Sequence, residues 1–312
     1  METTHQSVLL KEAIEGLDIQ EDDVVVDATL GGAGHFSSIL SLVGSQGTVI
    51  GIDADHEAIE RGRVASRGAK ASVHVVEGNF RDLDTMLNTL HVETITKALF
   101  DLGWSSFHIT SGRGFSFRSN EPLYMTYGTP QKGKTAADLL NTASEEAIRD
   151  MLYSLGEERF ARSIARSIAH TRETKRIETT QDVVDAVLGG TPTWYQKRRI
   201  HPATKTFQAL RIAVNDELGA LRAGLTSAIN RLDEGGRVAI ISFHSIEDRI
   251  VKLMLRDAAC NGVGVVLTKK PITPSLSETT SNPRSRSAKL RIFEKGQAVA
   301  LSSKETSVFS YA

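Results

Sequence analysis

A chain of 312 residues, 40% hydrophobic and 24% charged, has the composition of a globular protein with one large domain or two ordinary ones. Its formal net charge of −1 excludes a strongly basic chain, so any nucleic-acid surface has to be a local patch. One cysteine, Cys260, excludes an internal disulfide, and neither a charged-then-apolar leader nor a membrane-length apolar run is seen, so the expected location is the cytoplasm, with no membrane partner.

A short helical pattern through Ile14 and Leu17 comes first. Val24-Val25-Val26-Asp27 then reads as a strand ending in an acid. It breaks into Gly31-Gly32-Ala33-Gly34, and His35 to Val43 follows as an amphipathic helix. Strand, glycine loop and helix open a nucleotide-binding βαβ unit, although a Gly-rich turn is as often only a tight turn. Thr48 to Asp53 is a second acid-terminated strand, roughly 20 residues on, where a carboxylate can take ribose hydroxyls. Helix His56–Ala65, strand Val73–Val76, a helix over Arg81–Leu90 and strand Ala98–Gly103 complete an alternation that predicts a doubly wound, mostly parallel α/β sheet. Asp27, Asp53, Phe80 and Asp101 all fall at the carboxyl ends of its strands, where ligands bind.

Beyond Ser105 the pattern changes. Residues 112–127 read as loop, and Thr135 to about Gly189 is helical, with Ser144 and Thr179 as N-caps and a break at Gly156. A helical domain inserted in the sheet is expected, over 111–204 between 1–110 and 205–312. Arg159, Arg162, Arg166 and His170 recur at helical spacing, as either a solvated face or a phosphate-contacting stripe. Trp194 to Pro202 interleaves aromatic and basic residues, as either a base-stacking segment or a linker. One long helix is expected from about Lys205 to Leu232, ended by Gly235-Gly236, then strand Arg237–Phe243, a helix over Ile246–Asp257, a mobile Pro271–Ser287 and a last strand at Lys289–Phe293.

The chemistry follows from the glycine loop. A dinucleotide brings a pyrophosphate that tolerates no anion beside it, and Asp27 stands at the loop entrance. A carboxylate there suits the cationic methionine end of S-adenosylmethionine, which is the expected cofactor. Asp101 is the candidate catalytic group, able to accept an N–H from an amine conjugated to a ring and hold its lone pair toward a methyl donor. On spacing alone, capping of the loop after its strand is an equal role for Asp101. His35 and His108 lack a second ligand at metal spacing, so no metal is expected. Ser105 and Ser106 lack the surroundings of a hydrolase nucleophile.

Seven stretches, in order along nearly the whole chain, resemble the signature set of the bacterial small-subunit (16S) ribosomal RNA (cytosine-N4)-methyltransferases. They are residues 27–35, 100–103, 113–117, 156–161, 201–211, 241–249 and 282–286. The resemblance implies a class I (Rossmann-like) methyltransferase with an inserted all-helical domain, methylating the exocyclic N4 amine of a decoding-region cytidine with S-adenosylmethionine. Its partner would be 16S rRNA or the small ribosomal subunit. Carried across, Ala33, Gly34 and His35 lie against the cofactor, Asp53 takes its ribose, Phe80 its adenine, and Asp101 and the position of His108 complete the site. Trp104 and Phe115 are candidates to stack on the target base, and Arg159, Lys197 and Arg284 to hold flanking phosphates. Four departures stand out. The family has Pro at Ser7, Gly at Ala33 and Gln at His108, and its Gly-Pro-Leu-Asp-Met-Arg-Met run is here Glu121-Pro122-Leu123-Tyr124-Met125-Thr126-Tyr127. The lost acid and arginine keep a second reading open, a catalytically weak RNA- or ribosome-binding assembly factor on the same fold. The sequence leaves the oligomeric state open.

Overall fold

The structure is a computed structural model that describes residues 6–103, 109, 111–128 and 134–296. The described residues up to Gly103 and from Arg222 form one compact unit, and those between, to Leu221, form a second.

The first unit is built on a seven-stranded sheet. β1 (Val24–Asp27), β2 (Thr48–Asp53), β3 (Ser72–Glu77), β4 (Ile95–Asp101), β5 (Leu232–Ser242), β6 (Gly264–Val266) and β7 (Lys289–Lys295) lie in the order β3-β2-β1-β4-β5-β7-β6. Pairings from β3 through β5 are parallel, and β7 runs antiparallel to both β5 and β6. The fold is therefore α/β and mostly parallel, as expected. Val25, Val26, Val49, Ile50, Leu99 and Phe100 are fully buried, as β-branched and apolar strands covered on both faces must be. Between β2 and β4, β1 marks the point where the winding reverses, and the loop behind such a strand opens toward the carboxyl edge.

Three expectations are corrected in this half of the chain. The long helix predicted from Lys205 is two helices, Thr204–Asn215 and Glu217–Arg231, broken where Asp216 takes a left-handed φ of 46°. Apolar periodicity continues across the break, and a single Asp tolerates that conformation, so no glycine or proline announced it. Gly235, at φ 77°, lies inside β5 and does not end a helix. The segment after Pro271 is ordered: Ile272 bridges to Leu290, Ser275 caps the helix Leu276–Ser281, and the Glu278 carboxylate accepts the Leu9 N–H at 2.8 Å. β6 was not expected: it is three residues long and opens on Gly264, too short a run to show a strand period.

The second unit is helical: Ala136–Thr142, Glu145–Gly156, Ala161–Thr174, Thr180–Gly189, Thr193–Gln196 and Thr204–Asn215. Ser144 and Thr179 do cap their helices, Thr179 in a reciprocal capping box with Asp182. Burial raises the Asp182 carboxyl, but the Lys175 ammonium and the N–H groups of Glu178 and Thr179 outweigh it and hold the acid at about 2. The helix Thr204–Asn215 belongs to this unit and not with the sheet residues. Its Phe207, Ala209 and Leu210 share a core with Leu152, Ile164 and Ile168. Gly156 admits it, because a Cβ there would meet the Lys205 carbonyl at 2.7 Å. Among the described residues, no helix is long and apolar enough to cross a membrane.

Candidate functional site

The site grows from the way the loop after β1 continues the sheet's bonding. Ala28 N–H donates to the Leu99 carbonyl at 2.9 Å and Leu30 N–H to the Ile52 carbonyl at 3.0 Å, so the loop is strapped to both neighbouring strands. Thr29 Oγ1 accepts the Asp101 N–H at 2.7 Å. Gly31, at φ 48°, turns its N–H onto Asp53 Oδ2 at 2.9 Å, and its carbonyl accepts from Arg61 Nε at 2.8 Å. Ala33 also sits left-handed, at φ 61°, where glycine carries no Cβ penalty. The departure from the family's glycine is thus a strained position.

Three acids converge at this edge. Asp27 is fully buried, its Oδ1 accepting the Thr29 N–H at 3.1 Å and its Oδ2 without a partner among the described residues. Burial pushes its carboxyl well above the usual range, and the charges of Asp101 and Asp53 add to the rise against the Thr29 bond. Burial likewise raises Asp53, held back by the N–H groups of Gly31 and Asp55. Asp101 is raised to about 7 by burial, with Gly103 N–H opposing and Glu247 adding repulsion. Its Oδ1 is buried without a partner among the described residues, although 19% of the side chain meets solvent.

Buried carboxyls with spare acceptor atoms are costly unless something cationic or hydrogen-donating meets them. That donor set fits a sulfonium-bearing, amine-bearing ligand and repels a pyrophosphate. Each Asp53 oxygen already accepts one N–H and retains a lone pair for a ribose hydroxyl.

His35 does not offer its ring to a ligand. It is buried, with Nε2–H donating to the Val8 carbonyl at 3.1 Å, which leaves the Nδ1 lone pair 3.6 Å from Asp101 Oδ2. Burial lowers its pKa to about 4, so it is neutral at physiological pH. Phe80 is half-buried, edge-on to Phe100 with centroids 5.6 Å apart. Gly34 begins the helix Gly34–Leu42.

The sequence overlooked Glu247 as part of this edge. It is buried, accepts the N–H groups of Phe243 and His244, and reaches Asp101 electrostatically. Its signal was the His244-x-x-Glu247 spacing at a helix start, a capping-box pattern with His as the cap.

The remaining predicted residues scatter. Trp104 and His108 lie outside the described residues. Phe115 is corrected: it is only 6% exposed, stacked on Tyr127 at 5.8 Å and packed in the helical unit's core, so it has no free face for a base. Arg159 and Lys197 are exposed in the helical unit, and Arg284 is exposed on the short turn Pro283–Ser287 of the sheet unit.

Residues 2–296 match the profile of a family described as the MraW methylase family. A protein named ribosomal RNA small subunit methyltransferase H from Deinococcus radiodurans is 45% identical over 95% of this chain and 91% of its own. Proteins of the same name from Persephonella marina and Sulfurihydrogenibium are 42% and 43% identical, each over 92% of this chain and 98% of theirs.

Proposed function

Because the chain belongs to the MraW methylase family, we propose that it is an S-adenosylmethionine-dependent methyltransferase of small-subunit ribosomal RNA, acting on the exocyclic N4 amine of a decoding-region cytidine. The observation that carries the reading is the buried Asp101 Oδ1, without a partner among the described residues, at the carboxyl end of β4 beside an acid-lined loop that suits a cation.

Adenosylmethionine supplies a methyl group activated by a sulfonium charge. Asp27 and the loop Ala33-Gly34-His35 would hold its methionine end, the histidine through its main chain. Asp53 would take the ribose hydroxyls and Phe80 would face the adenine. Asp101 accepts the amine N–H of cytosine, turns the nitrogen lone pair toward the donor and takes the released proton. The neutral His35 keeps an acceptor, not a cation, behind Asp101, so nothing there pulls the carboxylate below its task. The target base leaves its stack to reach this edge, as enzymes acting on bases require.

Mapping N4-methylcytidine in ribosomal RNA from cells with and without this chain tests the reading. Loss of one such site on deletion, restored by the native chain and not by Asp101→Ala, is the expected result. An unchanged modification map would overturn it.

One observation favours the binding-only alternative. Tyr124 is partly exposed and Thr126 spends its hydroxyl on the Gly128 carbonyl, so neither supplies a charge to the 121–127 loop. That loop is nonetheless held, by Arg113 bonding the Thr126 and Tyr127 carbonyls and Asn215 bonding the Met125 carbonyl. Tyr124→Asp with Thr126→Arg discriminates: a large gain in turnover supports the assembly-factor reading.

A further inference from the structure

The helical unit carries a surface that the methyl-transfer site does not use. Trp194, on the single turn Thr193–Gln196, is 55% exposed. Its indole is held edge-on by Phe160, at 5.8 Å between centroids, and by Tyr195, at 5.9 Å. Phe160 and Tyr195 meet each other at 4.8 Å.

This mount is rigid for identifiable reasons. The Tyr195 hydroxyl donates to the buried Glu158 carboxylate, 2.9 Å from Oε2, and the same carboxylate accepts the Phe160 N–H at 2.8 Å. Gln196 Nε2 donates to the carbonyls of Leu188 and Thr191, pinning the turn to the end of the preceding helix. An exposed indole held this way loses little rotamer freedom on binding.

Around it cations outnumber acids. The Arg159 guanidinium lies over the Trp194 ring at 5.7 Å and Arg198 over Tyr195 at 5.3 Å. Arg162, Lys197 and Arg199 are exposed nearby in sequence, and none of these five cations forms an ion pair with a carboxylate among the described residues. Glu157 and the buried Glu158 precede Arg159 in the chain. In a chain of net charge −1, this is a deliberate local excess.

We propose that Trp194 and the cations around it are a stacking platform for one unpaired base of an RNA strand, with Arg159, Arg162 and Lys197 on the flanking phosphates. A fixed aromatic face beside unpaired arginines is the arrangement that single-strand binders use without reading sequence. The platform gives the enzyme a second hold on its RNA, built from residues other than those that hold the reacting base. The inference rests on the proposed RNA substrate, and its test is separable from that proposal.

The probe is a fluorescently labelled single-stranded RNA of about 12 nucleotides, followed by anisotropy with the full chain, against a duplex of the same length. Trp194→Ala is expected to weaken single-strand binding about tenfold, the effect of losing one base–aromatic stack, and Trp194→Phe to restore most of it. Arg159→Gln should lower the slope of log affinity against log salt by about 1. Urea midpoints stay at the native value in all three variants, which shows that they fold, and so does calorimetric affinity for adenosylmethionine, which shows that the cofactor site is untouched. Native affinity of Trp194→Ala for the single strand, or weakened binding to whole small subunits with unchanged binding to RNA alone, overturns the platform. If Trp194→Ala weakens RNA binding while the native chain methylates no ribosomal RNA, the platform stands and the proposed function falls.

Discussion

The two units handle charge in opposite ways. The sheet unit gathers three aspartates around a bare main-chain loop, Asp27 among them fully buried, and leaves Asp27 Oδ2 and Asp101 Oδ1 without hydrogen-bond partners among the described residues. In the helical unit the cations around Trp194 are exposed without carboxylate partners among the described residues, and the buried acid Glu158 is spent on Tyr195 and Phe160. A methyl donor that is a cation and an acceptor that is a polyanion call for these two environments. Neither environment is visible in the net charge of −1, in which they cancel.

The contrast is broken most severely at the reacting centre. Asp101→Ala should lower methyl transfer by about 10²–10⁴-fold while adenosylmethionine binding stays within a few-fold, measured by tritium transfer to small subunits and by calorimetry. Asp27→Asn keeps the Thr29 bond but removes the buried charge, and should weaken adenosylmethionine binding by about 10–100-fold, read in the same calorimeter. Equal affinity in that variant would remove Asp27 from the cation site.

Acidity sharpens the comparison further. With Asp101 raised to about 7 in the free chain, kcat/KM should fall as pH drops below about 7, because only the ionised carboxyl accepts the amine proton. The same shift makes a stability statement. The folded value lies above the unfolded one, so the acid's contribution is complete below about 4 and lost as pH rises through about 7. Asp101→Asn should therefore melt above the native chain at about pH 8 and lose that advantage at about pH 4, by calorimetric melting.

On the helical side, Tyr195→Phe strips a hydroxyl donor from the buried Glu158 and should cost about 1–3 kcal/mol in urea unfolding. The smallest effect is Ala33→Gly, which relieves the left-handed φ of 61° and should gain roughly 1 kcal/mol in urea unfolding.

The sequence alone determined the parallel half of the sheet, the glycine loop, the acids at the strand ends and the helical character of the insert. Each is a local signal: β-branched runs, Asp at a strand's end, Ser and Thr at helix starts. Tertiary structure decided the rest. Asp216 broke a helix whose apolar period was continuous, and β6 formed because β7 offered it an edge. Phe115 and Trp194 are both aromatic residues in basic stretches, yet one is core and the other surface. His35, adjacent to the glycines, turned its ring to Val8, far away in sequence. Burial is a property of what packs around a residue; packing raises Asp101 by desolvation and leaves Trp194 exposed, so the residues were legible from the chain but their chemistry was not.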